Sequence, residues 1–113
     1  MTILIDPDLL ELEPHFASDP AQKQWCVYFL LCQNNALYCG ISNQPKVRFH
    51  VHLSGKGAKF TRMHPPLEMR LIYHGLSRAD ASRLEAKIKR LKTEQKRQLW
   101  DRLAKRKAEN FRP

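Results

Sequence analysis

The feature that most constrains this fold is an unbroken apolar run, Trp25–Cys32, made of aromatic, β-branched and leucine side chains with a cysteine near each end. The run is far shorter than the ~20 residues needed to cross a bilayer, and its composition is typical of a strand buried on both faces. Gln33, Asn34 and Asn35 follow with side chains that favour tight turns, and residues 36–42 form a second apolar run. The sequence therefore predicts a β-hairpin.

A helix is predicted after the hairpin. Pro45 suits its first turn, and Gly55 suits the position just past its end. A basic, glycine-containing loop comes next, with a helical turn expected up to Met63. The Pro-Pro pair that follows stops this turn.

A third strand and two more helices complete the pattern. Residues 68–76 alternate loosely between apolar and polar and supply the strand. Ser77 and Asp80 resemble a capping box, and the helix that they begin keeps its apolar residues at a spacing of three to four. A last helix ends in the basic residues 105–107. The order β-β-α-β-α-α predicts an α+β fold.

Charge is distributed unevenly along the chain. Residues 1–24 carry five acidic side chains and one basic, a net of −4, whereas residues 25–113 carry 19 basic and 6 acidic, a net of +13. A solvated surface would explain some of this excess, but its size favours a polyanionic partner. We expect an acidic N-terminal extension at 1–24, a single domain at 25–107 and a tail at 108–113.

Several classes of protein are excluded by composition. Cys26, Cys32 and Cys39 are odd in number and lie within apolar segments, so we predict neither a disulfide framework nor a Cys-x-x-Cys metal ribbon. A basic region followed by an apolar stretch is missing from the first residues, so no secretory signal peptide is expected. The expectation is a cytoplasmic protein without a membrane partner.

Five residues are candidates for chemistry. Tyr28 and Tyr38 lie on the two arms of the hairpin, where a tyrosine commonly does no more than pack. Arg48 and His52 are spaced i, i+4 and share one helix face. Glu85 lies among basic side chains beside a core face, where a carboxylate either pairs with a cation or binds a metal. An ion pair with the lysine four residues further on is the simpler alternative.

Taken together, these residues resemble the GIY-YIG nuclease superfamily, over roughly residues 25–92. The residues that carry the resemblance are Tyr28, Tyr38, Gly40, Arg48, His52 and Glu85. The chain looks most like the small stand-alone bacterial members, related to the nuclease domain of the excision-repair incision subunit. The resemblance implies a three-stranded antiparallel sheet flanked by helices.

The resemblance also implies a metal-dependent DNA endonuclease that hydrolyses phosphodiester bonds. Glu85 matches the carboxylate that holds one Mg²⁺ or Mn²⁺. Arg48 matches the arginine that stabilises charge on the phosphate. Either Tyr38 or Tyr28 matches the residue that activates or orients the attacking water.

Two further positions match, and three depart from the pattern. His52 matches a histidine that shuttles a proton or orients a tyrosine, and Gly40 would allow the backbone to approach the site closely. Cys26 stands where the first motif has its glycine, Ile41 stands where some relatives have a lysine, and Arg97 stands where others have an asparagine. The residues expected to do the chemistry are intact, which favours an active enzyme.

Seven basic residues are predicted to contact nucleic acid: Lys56, Lys59, Arg62, Lys87, Arg90, Lys96 and Arg97. Phosphate contacts give affinity without sequence information. We therefore expect low sequence specificity on DNA, including branched or damaged DNA, in repair or recombination. A structure preference and reliance on a targeting protein are both compatible with this expectation. The alternatives are RNA as the partner, or an inactive nucleic-acid-binding module on the same fold.

Overall fold

An antiparallel sheet with helices on both of its faces makes up the part of the chain that the computed structural model describes, residues 24–104 and 110–112. The strands are β1 (Trp25–Cys32), β2 (Leu37–Ser42), β3 (Pro66–Leu76) and β4 (Asn110–Phe111). The helices are α1 (Pro45–Leu53), α2 (Lys59–Met63), α3 (Arg78–Lys89) and α4 (Thr93–Leu103). The predicted α+β class and the predicted order of the larger elements are confirmed.

Strand β1 is the centre of the sheet, whose order is β2-β1-β3-β4. It runs antiparallel to both neighbours, and Tyr28 lies opposite Gly40 of β2 and Leu71 of β3. Its apolar run is buried on both faces, as predicted. The hairpin is also confirmed, and Asn35 in its turn adopts the left-handed conformation, with φ of 66°, that asparagine tolerates.

Alternation along β1 divides the core into two layers. On one face Val27 packs in a cluster with Leu84 of α3 and with residues of α4. On the other face Tyr28 packs in a cluster with Phe49 of α1. A residue of β1 or β2 is therefore assigned to the α1 side or to the α3 side by its position along the strand.

The sheet has four strands rather than the three that were expected. Strand β4 pairs with β3, with Phe111 opposite Met69, and the Phe111 ring lies 6.5 Å from that of Phe49. Next to it, Arg112 Nε donates to Glu68 Oε1 at 3.1 Å. A strand of two residues is too short to show a periodicity, so its pairing partner and not its own sequence defines it.

The predicted glycine after α1 and the predicted cap at the start of α3 are both present in the structure. Gly55 follows α1 with φ of 80°, in the left-handed region that glycine adopts without strain. Ser77 caps α3, and its Oγ accepts a hydrogen bond from the Asp80 N–H at 3.1 Å.

Some predictions fall on residues outside the described ranges. These are the acidic extension apart from Gln24, the basic helix end at 105–107, and residues 108, 109 and 113 of the tail. Among the described helices, none has both the length and the apolar character required to cross a membrane.

We expect Ser77→Ala to lower the free energy of unfolding by about 1 kcal/mol, because it leaves the Asp80 N–H without its side-chain acceptor. Urea unfolding at neutral pH measures the change. Ser82→Ala is the control, since Ser82 is exposed in the same helix and the change should be neutral or slightly stabilising. Equal losses in the two variants would argue against the cap.

Candidate functional site

The candidate residues of β1, β2 and α1 meet on one face of the sheet. Tyr28 and Tyr38 belong to the same core layer, which α1 covers. His52 is completely buried between them, with its ring centroid 6.1 Å from that of Tyr28 and 5.7 Å from that of Tyr38. The i, i+4 spacing on α1 also brings Arg48 to this layer, where its guanidinium lies close enough to the Tyr28 hydroxyl to lower the pKa of that group against the larger effect of burial.

A chain of hydrogen bonds runs from Tyr28 to the segment that contains α2. The Tyr28 hydroxyl lies 3.0 Å from His52 Nε2, and His52 Nδ1 lies 2.8 Å from Thr61 Oγ1. Thr61 in turn donates to the carbonyl of Ala58 at 2.9 Å. The three side chains are at most 1% exposed, so these hydrogen bonds replace the ones that water would otherwise provide.

Burial controls the protonation of this pair. It lowers the pKa of His52 from 6.5 to about 4, with the nearby charge of Arg48 acting in the same direction. Burial also raises the pKa of Tyr28 well above its ordinary value, although the guanidinium of Arg48 opposes this by favouring the phenolate. At neutral pH the structure therefore holds a neutral imidazole against a neutral phenol.

Two glycines let the backbone close over these rings. A Cβ at Gly40 would lie 2.5 Å from the Tyr28 oxygen and 2.6 Å from Cζ. A Cβ at Gly57 would overlap with Nδ1 of His52. Any side chain at either position would push a buried ring from its place.

Glu85 lies on the other side of the sheet, on α3. Its Oε2 is 3.4 Å from Nζ of Lys89, so the ion pair considered above as the simpler alternative is present. The Glu85 side chain is 22% exposed. Its charge, added to the larger effect of burial, raises the pKa of Cys39 in β2 to about 12. The sheet thus separates Glu85 from the Tyr28–His52 pair.

A cleft at the edge of β2 brings the two sides together. Tyr38 and Phe60 line it from one side, and Lys89 and Lys96 line it from the other. The rings of Tyr38 and Phe60 are stacked, with centroids 6.1 Å apart and planes 17° apart. Glu85 is not a lining residue of the cleft, but its ion-pair partner Lys89 is.

The donor set allows a metal ion only if substrate and water help to hold it. Within residues 24–104 and 110–112 no cluster of three or more His, Cys, Asp or Glu side chains is arranged to bind an ion. Mg²⁺ is commonly held by one or two carboxylates together with waters and substrate phosphates. A single, partly exposed Glu85 fits an ion of that kind.

The seven basic residues predicted to contact nucleic acid are distributed over several surfaces. Lys96 lines the cleft, and Arg97 lies beside the hairpin turn with Nη1 3.5 Å from Asn35 Oδ1. Three are exposed on and before α2: Lys56, Lys59 and Arg62. Lys87 and Arg90 are exposed on α3 and just past its end, and neither is a lining residue of the cleft.

Sequence reasoning missed Thr61 and Phe60. The segment around them was considered for its glycines, its positive charge and a helical turn, and neither residue was a candidate for the site. Thr61 lies nine residues after His52, which matches no helical or strand period, because a turn separates α1 from α2. The tight glycine Gly57 is the one local signal that this segment approaches another element closely.

The chain is similar to known proteins over much of its length. The family model described as the GIY-YIG catalytic domain matches residues 24–98. A UPF0213 protein of Neisseria meningitidis serogroup C is 46% identical over 83 residues, which are 74% of this chain and 91% of that protein. A UPF0213 protein of Xanthomonas axonopodis pv. citri is 46% identical over 71 residues, 63% of this chain and 70% of that protein. No solved structure gives a significant match.

We expect Gly40→Ala to destabilise the protein by about 2–3 kcal/mol, because the new methyl group would collide with the buried Tyr28 ring. The free energy of unfolding in urea measures the loss. Gly75→Ala is the control: it has open space around it but φ of +76°, so only a backbone cost of about 1 kcal/mol is expected. A smaller loss at Gly40 than at Gly75 would contradict the close packing.

The lowered pKa of His52 predicts how stability depends on pH. Between about pH 4 and 6.5 the unfolded chain binds a proton at this residue and the folded chain does not. The free energy of unfolding should therefore be highest above pH 6.5 and decrease as the pH falls towards 4, by about 3 kcal/mol from this group.

Urea unfolding at several pH values across that range tests the prediction. His52→Gln should weaken the dependence on pH, since it removes the titrating group. His50→Gln, on the exposed side of the same helix, should keep it. The same pH dependence in both variants would assign the effect to other groups.

Proposed function

The chain belongs to the GIY-YIG family, whose members are nucleases, and from this we propose that it is a metal-dependent DNA endonuclease of low sequence specificity. The observation that carries the proposal is the cleft at the edge of β2. There a partly exposed tyrosine, Tyr38, faces lysines from the opposite side of the sheet, and one of these, Lys89, contacts Glu85. A backbone lying along this edge would meet both.

Tyr38 is the better placed of the two tyrosines to orient the attacking water. It is partly exposed and lines the cleft. Tyr28 is 1% exposed and its hydroxyl is engaged by His52. Burial also raises the pKa of Tyr28, which opposes its use as a base. We therefore give Tyr38 the contact with water, and Tyr28 a role in holding its neighbours.

Arg48 would stabilise the negative charge that develops on the phosphate. A guanidinium suits this task because its N–H donors are planar and fixed, so that one can be anchored while others face a substrate. The Tyr28 oxygen, close to the guanidinium, would supply such an anchor. His52, tied to the same tyrosine, would keep the anchor in place.

Glu85 would hold one Mg²⁺ or Mn²⁺ together with waters and a substrate phosphate. When bound, such an ion supplies positive charge to the phosphate oxygens. Lys89 is more than half exposed, so its side chain has room to leave Glu85 and turn towards a phosphate. Lys96, in the same cleft, would add to the attraction.

The substrate is proposed to be DNA recognised through its backbone, in repair or recombination. The exposed lysines and arginine on and before α2 lie on the segment that carries Phe60 into the cleft. Phosphate contacts of this kind support branched or damaged DNA as well as plain duplex, because they read no sequence. A targeting protein would then supply any finer selection.

We expect Glu85→Gln to slow cleavage by at least about 100-fold while binding changes little, because it removes a metal ligand and not a phosphate contact. Parent and variant are compared on supercoiled, linear, nicked, flapped and branched DNA with Mg²⁺, Mn²⁺ or EDTA. Glu94→Gln is the control, since Glu94 is exposed in the first turn of α4, and it should cleave at the parent rate.

Two results would overturn parts of this proposal. Equal cleavage by the parent and the Glu85→Gln variant would remove Glu85 from the site. Binding of DNA or RNA by a parent protein that cuts neither would identify an inactive nucleic-acid-binding module, for which the Glu85–Lys89 ion pair would be purely structural.

A further inference from the structure

We infer that Thr61 is a positioning residue, which sets the tautomer of His52 and, through Tyr28, the placement of Arg48. This inference rests on the proposed function only for its effect on cleavage. The tautomer itself follows from the hydrogen bonds. Thr61 lies on α2, outside the strands and the helix that supply the other site residues of this face.

The direction of this series of hydrogen bonds is fixed at the Ala58 carbonyl, where the series ends. A backbone carbonyl can only accept, so at 2.9 Å from the Ala58 oxygen the Thr61 hydroxyl must use its single proton there. What Thr61 Oγ1 then offers to His52 Nδ1, 2.8 Å away, is a lone pair. Nδ1 must therefore carry a proton, since two acceptors at that distance would repel each other.

The rest of the chain follows step by step. A neutral imidazole with its proton on Nδ1 has a free lone pair on Nε2, which can accept from the Tyr28 hydroxyl 3.0 Å away. Tyr28 thereby uses its only proton, and its oxygen is left as an acceptor for the guanidinium of Arg48. Every proton points from Arg48 towards Ala58, and reversing any one bond sets two donors or two acceptors against each other.

Packing removes the other ways of satisfying these groups. Thr61 and His52 are fully buried and Tyr28 is 1% exposed, so water does not replace a lost partner. Gly57 packs against the Nδ1 edge of the imidazole, and Gly40 packs against the oxygen of Tyr28. The rings therefore have little room to turn, and a change at Thr61 must appear as a change of tautomer.

The test compares Thr61→Val with Thr61→Ser. Valine keeps the branched shape and removes the hydroxyl, whereas serine keeps the hydroxyl. We expect ¹⁵N NMR of histidine-labelled parent protein at neutral pH to show His52 protonated on Nδ1, with the signals assigned by their absence from His52→Gln. Thr61→Ser should keep that pattern, and Thr61→Val should move the proton to Nε2 or give a mixture of tautomers.

Cleavage of DNA provides the second measurement. In Thr61→Val the Nε2–H of His52 would donate a hydrogen bond to the Tyr28 oxygen and so compete with the Arg48 guanidinium for that oxygen. We therefore expect kcat to fall about tenfold or more with a small change in KM. Thr61→Ser should stay close to the parent.

The outcomes separate this inference from the proposed function. A parent His52 protonated on Nε2 or on both nitrogens overturns the inference, whatever the activity. An unchanged tautomer in folded Thr61→Val also overturns it, even if cleavage is lost. Should Thr61→Val fail to fold, the ¹⁵N spectra of the parent and of Thr61→Ser still show whether His52 is protonated on Nδ1. A parent that cuts no substrate ends the proposed function but leaves the tautomer to be read directly.

Discussion

Burial of β1 on both faces is the constraint from which the site follows. A strand with no solvent on either side needs a helical layer above and below it, and here α1 and α3 provide them. It also places the hydroxyl of Tyr28 where no water can reach it. A buried hydroxyl without a partner is costly, so the α1 layer has to bring a partner, and His52 is that partner. His52 is buried in turn, which transfers the same requirement to Thr61 and finally to a backbone carbonyl.

The edge of β2 imposes a second constraint, because side chains on neighbouring strand positions point to opposite faces. Tyr38 and Cys39 are adjacent in sequence but belong to different core layers. The chemistry proposed for this fold needs Tyr38 from one layer and Glu85 from beside the other. In the described sheet β2 is an edge strand, and the cleft beside it is lined by Tyr38 and by Lys89, the ion-pair partner of Glu85. In the proposed function the edge strand, often a liability, is the place where a substrate backbone would approach both layers.

How far the sequence predicts this structure depends on how close the interacting residues are in the sequence. The hairpin and the Ser77 cap are specified by residues close together in the chain, and both were predicted. The i, i+4 relation of Arg48 and His52 likewise placed them together on the α1 side. Strand β4 was not predicted because its two residues are defined by pairing with β3. Thr61 was missed for the same reason: its hydrogen bond to His52 crosses a turn and leaves no periodic pattern.

In the proposed function, affinity for nucleic acid and positioning of the site depend on different residues, and the two respond differently to substitution. Positive charge is spread over exposed side chains on several surfaces, and each contributes a part of a field that other residues also supply. The buried hydrogen bonds from Tyr28 to Ala58 have no such redundancy, since Tyr28, neutral His52 and Thr61 each have a single side-chain proton to donate. A lysine can be replaced with a graded loss of binding. Replacing one residue of the buried series changes which groups donate and which accept along the rest of it.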